Sequence, residues 1–245
     1  MDLTGRSVLV TGGTRGIGKA IALRLVSLGA ARVALGYLRN DSAAEEAAEE
    51  LRAAGAEPVL VRGNVASERV VGEFASHGPY AVIVHNAATG VIRPALETED
   101  KHWNWTIAAN ARALLSLARA CAPEMEKGSS IVAISSLGAT RVLENYILVG
   151  TSKAALESVV RYLAVELAPR GIRVNAVSAS VVETGALEHF PNREEMLRSG
   201  LDRTPAGRLV EPEDIAGAVA YLCSPEAEMV RGHTLIVDGG FSLLA

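Results

Sequence analysis

Short runs of β-branched and aliphatic residues alternate along this chain with longer segments of helical periodicity, and this alternation limits the possible folds severely. Most of the short runs are almost entirely apolar, as in strands that helices cover on both faces. Such alternation predicts right-handed parallel crossovers. The predicted strands are Ser7–Thr11, Arg32–Leu35, Val59–Arg62, Ala81–His85, Ser130–Ser135, Arg173–Ser178 and Thr234–Val237. The predicted helices are Gly16–Leu28, Ala43–Ala54, Glu68–Ala75, roughly Asp100–Glu126, Asn145–Ala168 and Glu211–Cys223.

The length and composition of the chain fit one domain. Its 245 residues are near the upper limit for a single hydrophobic core, and its hydrophobic fraction of 49% is enough to fill one. We therefore expect a single α/β domain over residues 1–245, with a doubly wound parallel sheet of about seven strands and helices on both faces. The polar segment Glu183–Leu209 contains several glycines and prolines and has no clear periodicity, which is typical of a lid or substrate-binding segment.

Charge and cysteine content argue against several classes of function. The formal net charge of −4 argues against a nucleic-acid partner, which requires a basic face. Cys121 and Cys223 fall in apolar helical segments without the spacing of a metal site or of a disulfide framework, so we expect no metal. The first residues lack the pattern of a signal peptide, and no run of about 18 apolar residues predicts a membrane span. We therefore expect a cytoplasmic protein without a membrane partner.

A glycine-rich turn follows the first predicted strand and leads directly into the first predicted helix. It reads Thr11-Gly12-Gly13-Thr14-Arg15-Gly16-Ile17-Gly18. Glycine lets the backbone turn sharply and approach a pyrophosphate, and the helix start presents free N–H groups and the positive end of its dipole. In this strand–turn–helix context the turn predicts a dinucleotide site of the Rossmann kind. The candidate cofactor contacts are Gly12, Thr14, Arg15, Gly16, Ile17 and Gly18.

The end of the second predicted strand indicates which dinucleotide binds. A site that prefers NAD usually has a carboxylate here to bond the ribose 2′-hydroxyl. This chain instead has Tyr37 and Arg39, with no carboxylate before Asp41. Arg39 and Arg15 can both reach the same place, and arginine pairs well with a phosphate. We therefore expect NADPH rather than NADH as the cofactor.

Several motifs together resemble the short-chain dehydrogenase/reductase family: Thr11–Gly18, His85-Asn86-Ala87-Ala88, Ser135-Ser136, Tyr146 with Lys153, and Val237-Asp238-Gly239-Gly240. The resemblance covers essentially the whole chain. It implies a seven-stranded parallel sheet, no metal, and homotetramers or homodimers packed through two long central helices. It also implies that Lys153 holds the nicotinamide ribose and that the cofactor further contacts Asn64, Val65, Asn86, Ala87 and Thr184.

One position departs from the family pattern. Most members place the catalytic tyrosine four residues before the lysine, where this chain has Val149, which has no proton to give. The nearest tyrosine is Tyr146, seven residues before Lys153. Seven residues are close to two helical turns, so in a helix both side chains share a face. The phenol would then lie about 4.5 Å farther along the helix axis than usual.

This displacement has a chemical meaning. Reduction of a ketone puts hydride on carbon and a proton on the oxygen of the same carbon, so the acid must lie beside the hydride acceptor. Reduction of a conjugated enoyl thioester puts hydride on the β-carbon, while charge develops on the more distant thioester oxygen. A displaced phenol suits the second reaction and would donate to that oxygen, and the charge of Lys153 would lower its pKa.

Other segments are similar to the NADPH-dependent enoyl-acyl-carrier-protein reductase III group of the family. They are His102-Trp103-Asn104-Trp105, Leu143-Glu144-Asn145-Tyr146, Asn175-Ala176-Val177-Ser178-Ala179-Ser180, His189-Phe190-Pro191-Asn192-Arg193 and Thr204-Pro205-Ala206-Gly207-Arg208. This resemblance assigns the nicotinamide carboxamide to Thr184. Ser136 occupies the usual position of the catalytic serine, with a catalytic or a substrate-binding role, and Asn110 matches an asparagine that kinks a helix or relays protons.

Three functions remain open from the sequence. The first is NADPH-dependent reduction of the 2,3 double bond of an enoyl thioester, presented by acyl carrier protein or coenzyme A in fatty acid or polyketide-type metabolism. The second is reduction of a 3-oxoacyl thioester or another ketone, with Ser136 and Tyr146 as the acid pair. The third is a catalytically silent NADP(H)-binding protein, which the intact Tyr146 and Lys153 argue against.

Overall fold

The protein, described here from a computed structural model over residues 1–185 and 193–244, is built around one seven-stranded parallel sheet. The spatial order of the strands is β3-β2-β1-β4-β5-β6-β7, and every neighbouring pair is parallel. The predicted doubly wound parallel sheet is confirmed. The strands are β1 (Ser7–Thr11), β2 (Arg32–Tyr37), β3 (Glu57–Arg62), β4 (Val82–His85), β5 (Ser130–Ser136), β6 (Arg173–Ala179) and β7 (Thr234–Val237).

Helices connect the strands as the alternation predicted. They are α1 (Gly16–Ser27), α2 (Asp41–Ala53), α3 (Glu68–Ser76), α4 (Asp100–Ile107), α5 (Ala113–Cys121), α6 (Ile147–Glu166), α7 (Arg193–Asp202) and α8 (Pro212–Cys223). The long helix predicted between β4 and β5 is interrupted, because a π-helical turn at Ala108–Arg112 separates α4 from α5. The helix predicted from Asn145 begins two residues later, at Ile147, so Tyr146 is its N-cap residue.

The core consists of two layers, one on each face of the sheet. Successive side chains of a strand point to opposite faces. Val8 and Val10 of β1 accordingly join the layer that contains α1, α2 and α8, whereas Leu9 joins the layer that contains α3, α5 and α6. The largest fully buried side chains, such as Phe74 and Leu114, are aliphatic or aromatic. This packing fixes the strand ends that carry the site.

The strand order reverses direction between β1 and β4. In open parallel sheets, ligands bind in the crevice outside the carboxyl ends of the strands at such a switch point. Thr11 ends β1 and is in register with His85, which ends β4, so the glycine-rich turn and the segment after β4 leave the sheet side by side. Within the described residues, no helix is long and apolar enough to cross a membrane.

The segment 183–209 leaves and rejoins the body of the domain at one place. Val182 and Val210 form an isolated parallel bridge at its base. Its described part includes α7, a helix that the sequence pattern did not predict. After α7, Arg208 forms a two-pronged ion pair with Asp214 at 2.7 and 2.8 Å, which anchors the returning chain to α8. Residues 186–192, and with them His189 to Asn192 of the motif noted above, lie outside the described residues.

Candidate active site

The glycine-rich turn is held against the segment that follows β4. Asn86 Nδ2 donates to the Gly12 carbonyl at 2.8 Å. The hydroxyl of Thr11 accepts from the backbone N–H groups of Asn86 and Ala87, both at 3.1 Å. The sequence-predicted residues Gly12, Asn86 and Ala87 are therefore brought together at the switch point. The other predicted residues of the turn lie in the same loop or at the start of α1: Thr14, Arg15, Gly16, Ile17 and Gly18.

The shape of the turn fits a pyrophosphate. Gly12 has a φ of +62°, and a β-carbon there would lie 3.0 Å from the Ala87 Cα, so the close approach requires glycine. Gly16 has a φ of +51°. The first turn of α1 carries no acidic residue, and its N-cap, Arg15, makes no capping hydrogen bond within the described part of the chain. Its N–H groups and dipole are therefore oriented to receive an anion.

The ribose end of the crevice contains a carboxylate that other groups already engage. Burial raises the pKa of Tyr37, and so does its hydrogen bond to Asp41. Arg62, at the end of β3, lies 3.4 Å from the same Asp41 carboxylate. Arg39 is exposed two residues beyond the end of β2. The first carboxylate after β2 is thus paired with a cation, which leaves positive charge from Arg39 at this edge. The sequence analysis missed Arg62, which reads as an ordinary polar residue at a strand end.

The remaining predicted cofactor residues fall on the same edge of the sheet. Asn64 follows β3, and its side-chain oxygen accepts from the Ala66 N–H at 2.9 Å, which shapes the loop. The next residue, Val65, is buried. Thr184 follows β6, and a β-carbon at Gly16 would lie 3.3 Å from its methyl group. The loop after β6 therefore lies against the glycine-rich turn.

Lys153 is buried in the first half of α6 and points at β5. Its Nζ donates to the Ile134 carbonyl at 2.6 Å. Burial lowers the pKa of Lys153 to about 8, and the charge of Glu157 acts in the opposite direction. The contact with Ile134 uses one of the three donors of the ammonium group.

Tyr146 lies beside Ser136 at the carboxyl end of β5. The phenol donates to Ser136 Oγ over a long distance of 3.5 Å, and the Gly138 N–H donates to the same hydroxyl oxygen at 3.2 Å. Burial raises the pKa of Tyr146, and the Ser136 contact lowers it less. In the protein alone the pKa of Tyr146 is therefore raised, because burial outweighs the Ser136 contact, and the lowering expected from the charge of Lys153 stays a prediction. Tyr146 is protonated at neutral pH and can act as an acid.

Two glycines make room for the Tyr146 ring. A β-carbon at Gly138 would lie 2.5 Å from its Cε1 atom, and one at Gly150 would lie 3.6 Å from its Cδ1 atom. The same atom at Gly150 would lie 2.7 Å from the Gly138 carbonyl oxygen, so the helix start and the turn after β5 are in direct contact. Tyr146 itself has a ψ of 11° and stands just outside the helix. The axial distance expected for a fully helical segment therefore does not apply, although the phenol remains beside β5.

Val149 lies against the loop after β4. It is buried, and a β-carbon at Gly90 would collide with its Cγ2 atom. The usual position of the acid is thus filled by an apolar side chain packed on backbone.

Asn110, in the π-helical turn, joins this loop to α6. Its Nδ2 donates to the Thr89 carbonyl and to Ser152 Oγ, both at 2.8 Å, and its Oδ1 accepts from the Thr89 N–H at 2.8 Å. Its side chain therefore has a structural role, one of the two readings that the sequence left open. π-Helical turns within α-helices often occur at functional sites.

His85 is fully enclosed beneath this region. Its Nε2 lies 3.2 Å from the Asn110 carbonyl oxygen, and its Nδ1 lies 3.1 Å from Thr11 Oγ1. A carbonyl can only accept, so Nε2 carries the proton and Nδ1 accepts from the threonine. Burial lowers the pKa of His85 to about 4. It is thus a neutral structural residue at the entry to the loop rather than a base.

A cavity of about 430 Å³ opens beside Tyr146. The loop after β4 and the connection between β5 and α6 form its walls, through residues 93–95, 138, 141–147 and 150–151. The walls combine apolar side chains such as Val142 and Leu143 with the cations Arg93 and Arg141 and the carboxylate of Glu144. Its volume lies in the range of small-molecule sites. Tyr146 is one of the lining residues, so the space beside it can receive an elongated ligand with an apolar and a charged part.

Comparisons with known proteins agree with this geometry. Residues 12–242 match the family model described as Enoyl-(Acyl carrier protein) reductase. The 1-cyclohexenylcarbonyl-CoA reductase of Streptomyces collinus is 36% identical over 244 residues, which span 97% of this chain and 87% of that protein. The L-xylulose reductase of Mus musculus is 34% identical over 245 residues, 98% of each chain.

A solved structure shares the complete architecture. The crystal structure of a short-chain dehydrogenase from Burkholderia cenocepacia in complex with NADP has a TM-score of 0.91 and 30% identity to this chain, and the match covers 99% of this chain and 100% of that one. The chain therefore belongs to the short-chain dehydrogenase/reductase family of oxidoreductases. The two named relatives act on different kinds of substrate, so membership of the family does not decide which bond is reduced.

Proposed function

We propose that this protein uses NADPH to reduce the 2,3 double bond of an enoyl thioester carried by acyl carrier protein or coenzyme A, in fatty acid or polyketide-type metabolism. The proposal rests on one observation at the start of α6: the acid does not stand at its usual position in the helix but three residues before it. Val149 fills the usual place of the acid, whereas Tyr146 presents its phenol from outside the helix, beside β5. In an enoyl thioester, the oxygen that gains negative charge is distant from the β-carbon that accepts hydride. An acid that lies away from the hydride site is suited to protonate that oxygen.

The cofactor assignment rests on the phosphate-binding turn and on the charges at the ribose edge. Gly12, Gly16 and the N-terminus of α1 would hold the pyrophosphate. Arg15 and Arg39 would hold a 2′-phosphate, because Asp41 is already engaged by Tyr37 and Arg62. The complex of the Burkholderia cenocepacia relative with NADP supports the same assignment. When bound, NADPH supplies the hydride for the reaction.

The side chains of the protein perform the other steps. Tyr146 donates its proton to the thioester oxygen on which charge develops, and the enol so formed tautomerises to the saturated thioester by gaining a proton from water at the α-carbon and losing the one on oxygen. A positioned general acid of this kind typically contributes about 10²- to 10⁴-fold. Ser136 accepts from the phenol and so orients it. Lys153 binds the ribose hydroxyls with donors beyond the one that Ile134 uses. The cavity beside Tyr146 receives the acyl part of the thioester.

The direct test measures consumption of NADPH with two four-carbon thioesters. Wild-type protein should oxidise NADPH faster with a crotonyl thioester than with the matching acetoacetyl thioester. Tyr146→Phe should lower kcat for crotonyl reduction about 100-fold and leave the Kd for NADPH nearly unchanged. Absence of crotonyl turnover at high enzyme concentration would defeat the proposal.

One contact favours a second candidate, the reduction of a 3-oxoacyl thioester or another ketone. The phenol of Tyr146 lies within 3.5 Å of Ser136 Oγ, so the two hydroxyls are available as an acid pair. Faster turnover of the acetoacetyl thioester would favour this alternative.

We also propose that the protein assembles as a homotetramer or homodimer through α4, α5 and α6. These helices carry large apolar side chains at the surface: Trp103 (44% exposed) and Trp105 (54%) on α4, Leu115 (39%) on α5, and Tyr162 (70%) and Val165 (74%) on α6. Apolar surface concentrated in this way is typical of an interface. Light scattering after gel filtration tests the proposal, and a monomer at micromolar concentration would refute it.

A further inference from the structure

Two charged side chains on neighbouring turns of α6 are buried below the candidate active site. Lys153 is 5% exposed and Glu157 is 8% exposed. Being four residues apart, they lie on the same face of the helix. Each buried charge costs free energy in the folded state unless a partner compensates it.

Adjacent residues of β5 receive these two side chains. The Ile134 carbonyl accepts from Lys153 Nζ at 2.6 Å, and Ser135 Oγ donates to Glu157 Oε1 at 2.5 Å. The next residue of the strand, Ser136, contacts the active-site phenol at 3.5 Å. Three successive residues of one strand therefore fix the lysine, the carboxylate and the phenol in a row.

We propose that Glu157 is a positioning residue for Lys153: held by Ser135, its carboxylate is the buried counter-charge that keeps the lysine protonated and directed toward the cofactor ribose. Glu157 acts through the lysine and does not touch the reacting atoms. The inference rests on the role that the proposed function gives to Lys153. It holds equally for enoyl and for ketone reduction, because the lysine has the same role in both.

Of the titratable groups around Lys153, Glu157 is the one that can supply a negative charge. Burial lowers the pKa of the lysine from 10.5 to about 8, and the charge of Glu157 is the contribution that raises it. His85 faces the lysine from β4, but its pKa of about 4 keeps it neutral above pH 6. Tyr146, whose pKa burial raises, is also neutral there. Among the described groups, Glu157 therefore supplies the negative charge.

Stability of the protein without cofactor tests this charge directly. The folded protein releases the Lys153 proton near pH 8, whereas the unfolded chain keeps it to about pH 10.5, so stability rises as the pH increases through that window. Glu157→Gln lowers the folded pKa further. The stability deficit of this variant should therefore be largest at neutral pH and should shrink toward pH 10, measured as urea midpoints at pH 7, 8.5 and 10.

Two control variants separate charge from packing. Ser135→Ala removes the hydrogen bond and retains the carboxylate, so its deficit should be nearly independent of pH over the same range. Glu166→Gln removes an exposed carboxylate from the same helix and should alter neither stability nor activity. A Glu157→Gln deficit that stays constant with pH, like that of Ser135→Ala, would overturn the proposal.

The pH profile of turnover supplies a second readout. With Glu157→Gln, the alkaline limb of kcat should move about one pH unit lower than in the wild type, and it should stay in place with Ser135→Ala. An alkaline limb that stays in place in Glu157→Gln also counts against the proposal.

If Glu157→Gln does not fold, folding should return in Lys153→Met/Glu157→Gln, which removes both charges. Failure of the double variant to fold would show that the carboxylate is needed for packing alone. The stability readout needs no substrate, so it remains decisive even if crotonyl reduction is not observed.

Discussion

The ring of Tyr146 lies against the bare backbone of Gly138, where a β-carbon would approach Cε1 to 2.5 Å. Gly138→Ala should therefore displace the phenol from Ser136 and lower kcat at least about tenfold, since small misplacements of a catalytic group are costly. The Kd for NADPH should stay within about twofold, because the cofactor residues lie elsewhere. Gly217→Ala is the matched control: Gly217 is an exposed helical glycine with open space around its Cα, so this variant should retain full activity and gain up to about 1 kcal/mol of stability. Full turnover by Gly138→Ala would show that the ring does not need this contact.

Arg39 should decide the preference for the phosphorylated cofactor. Arg39→Ala should raise the KM for NADPH about tenfold, because a charge-assisted contact to a phosphate contributes about 1.5 to 3 kcal/mol. The KM for NADH, which lacks the phosphate, should change little. Arg24→Ala, a change of an exposed arginine at the far end of α1, serves as the control. Equal effects on the two cofactors would place Arg39 outside the 2′-phosphate site.

Arg93 and Arg141 line the cavity beside Tyr146 and should attract the phosphate groups of a carrier. The variant Arg93→Ala/Arg141→Ala should raise the KM for crotonyl-coenzyme A about tenfold. Its KM for crotonyl-N-acetylcysteamine, which has the same thioester without phosphates, should remain that of the wild type. A comparable rise with both substrates would mean that the arginines shape the cavity rather than bind an anion.

His85 should make the fold sensitive to acid. Its pKa is about 4 in the folded protein and 6.5 in an unfolded chain. Between pH 4 and pH 6.5, His85 is therefore protonated in the unfolded state and neutral in the native state. Stability present above pH 6.5 is therefore lost as the pH falls, by about 3 kcal/mol at pH 4. His85→Asn should lose less stability than the wild type between pH 7 and 4.5 in urea titrations, whereas His233→Asn, at an exposed position, should behave like the wild type. An equal loss in His85→Asn would assign the acid sensitivity to other groups.

The sheet, and the edge at which the candidate site residues meet, could be predicted from the sequence because their signals are local. Apolar runs such as that of β4 have few alternatives to a strand covered on both faces, and a glycine-rich turn between a strand and a helix has a specific geometry. Since parallel strands end at one edge, residues after β1, β4, β5 and β6 had to meet there.

Other features depend on contacts between distant segments. Tyr146 is the N-cap residue of α6 but is not one of the residue types that usually cap helices, and Asn145 before it adopts a φ of +57°. The start of α6 is therefore set by the turn against Gly138 rather than by a local sequence signal. Glu157 reads as an ordinary polar residue of a helix until β5 is seen to cover it. The role of Arg62 depends on its ion pair with Asp41, which lies on a different secondary-structure element.

The π-helical turn Ala108–Arg112 accommodates one residue more than an α-helix of the same rise. Deleting a residue there would turn it into an ordinary α-helical turn, and Leu114 and Leu117 would keep their places in the core. The side chain of Asn110 would then lose the position from which it reaches Thr89 and Ser152. The extra residue therefore serves the contact between the loop after β4 and α6, and a chain one residue shorter here would lose that contact while keeping the packing of α5.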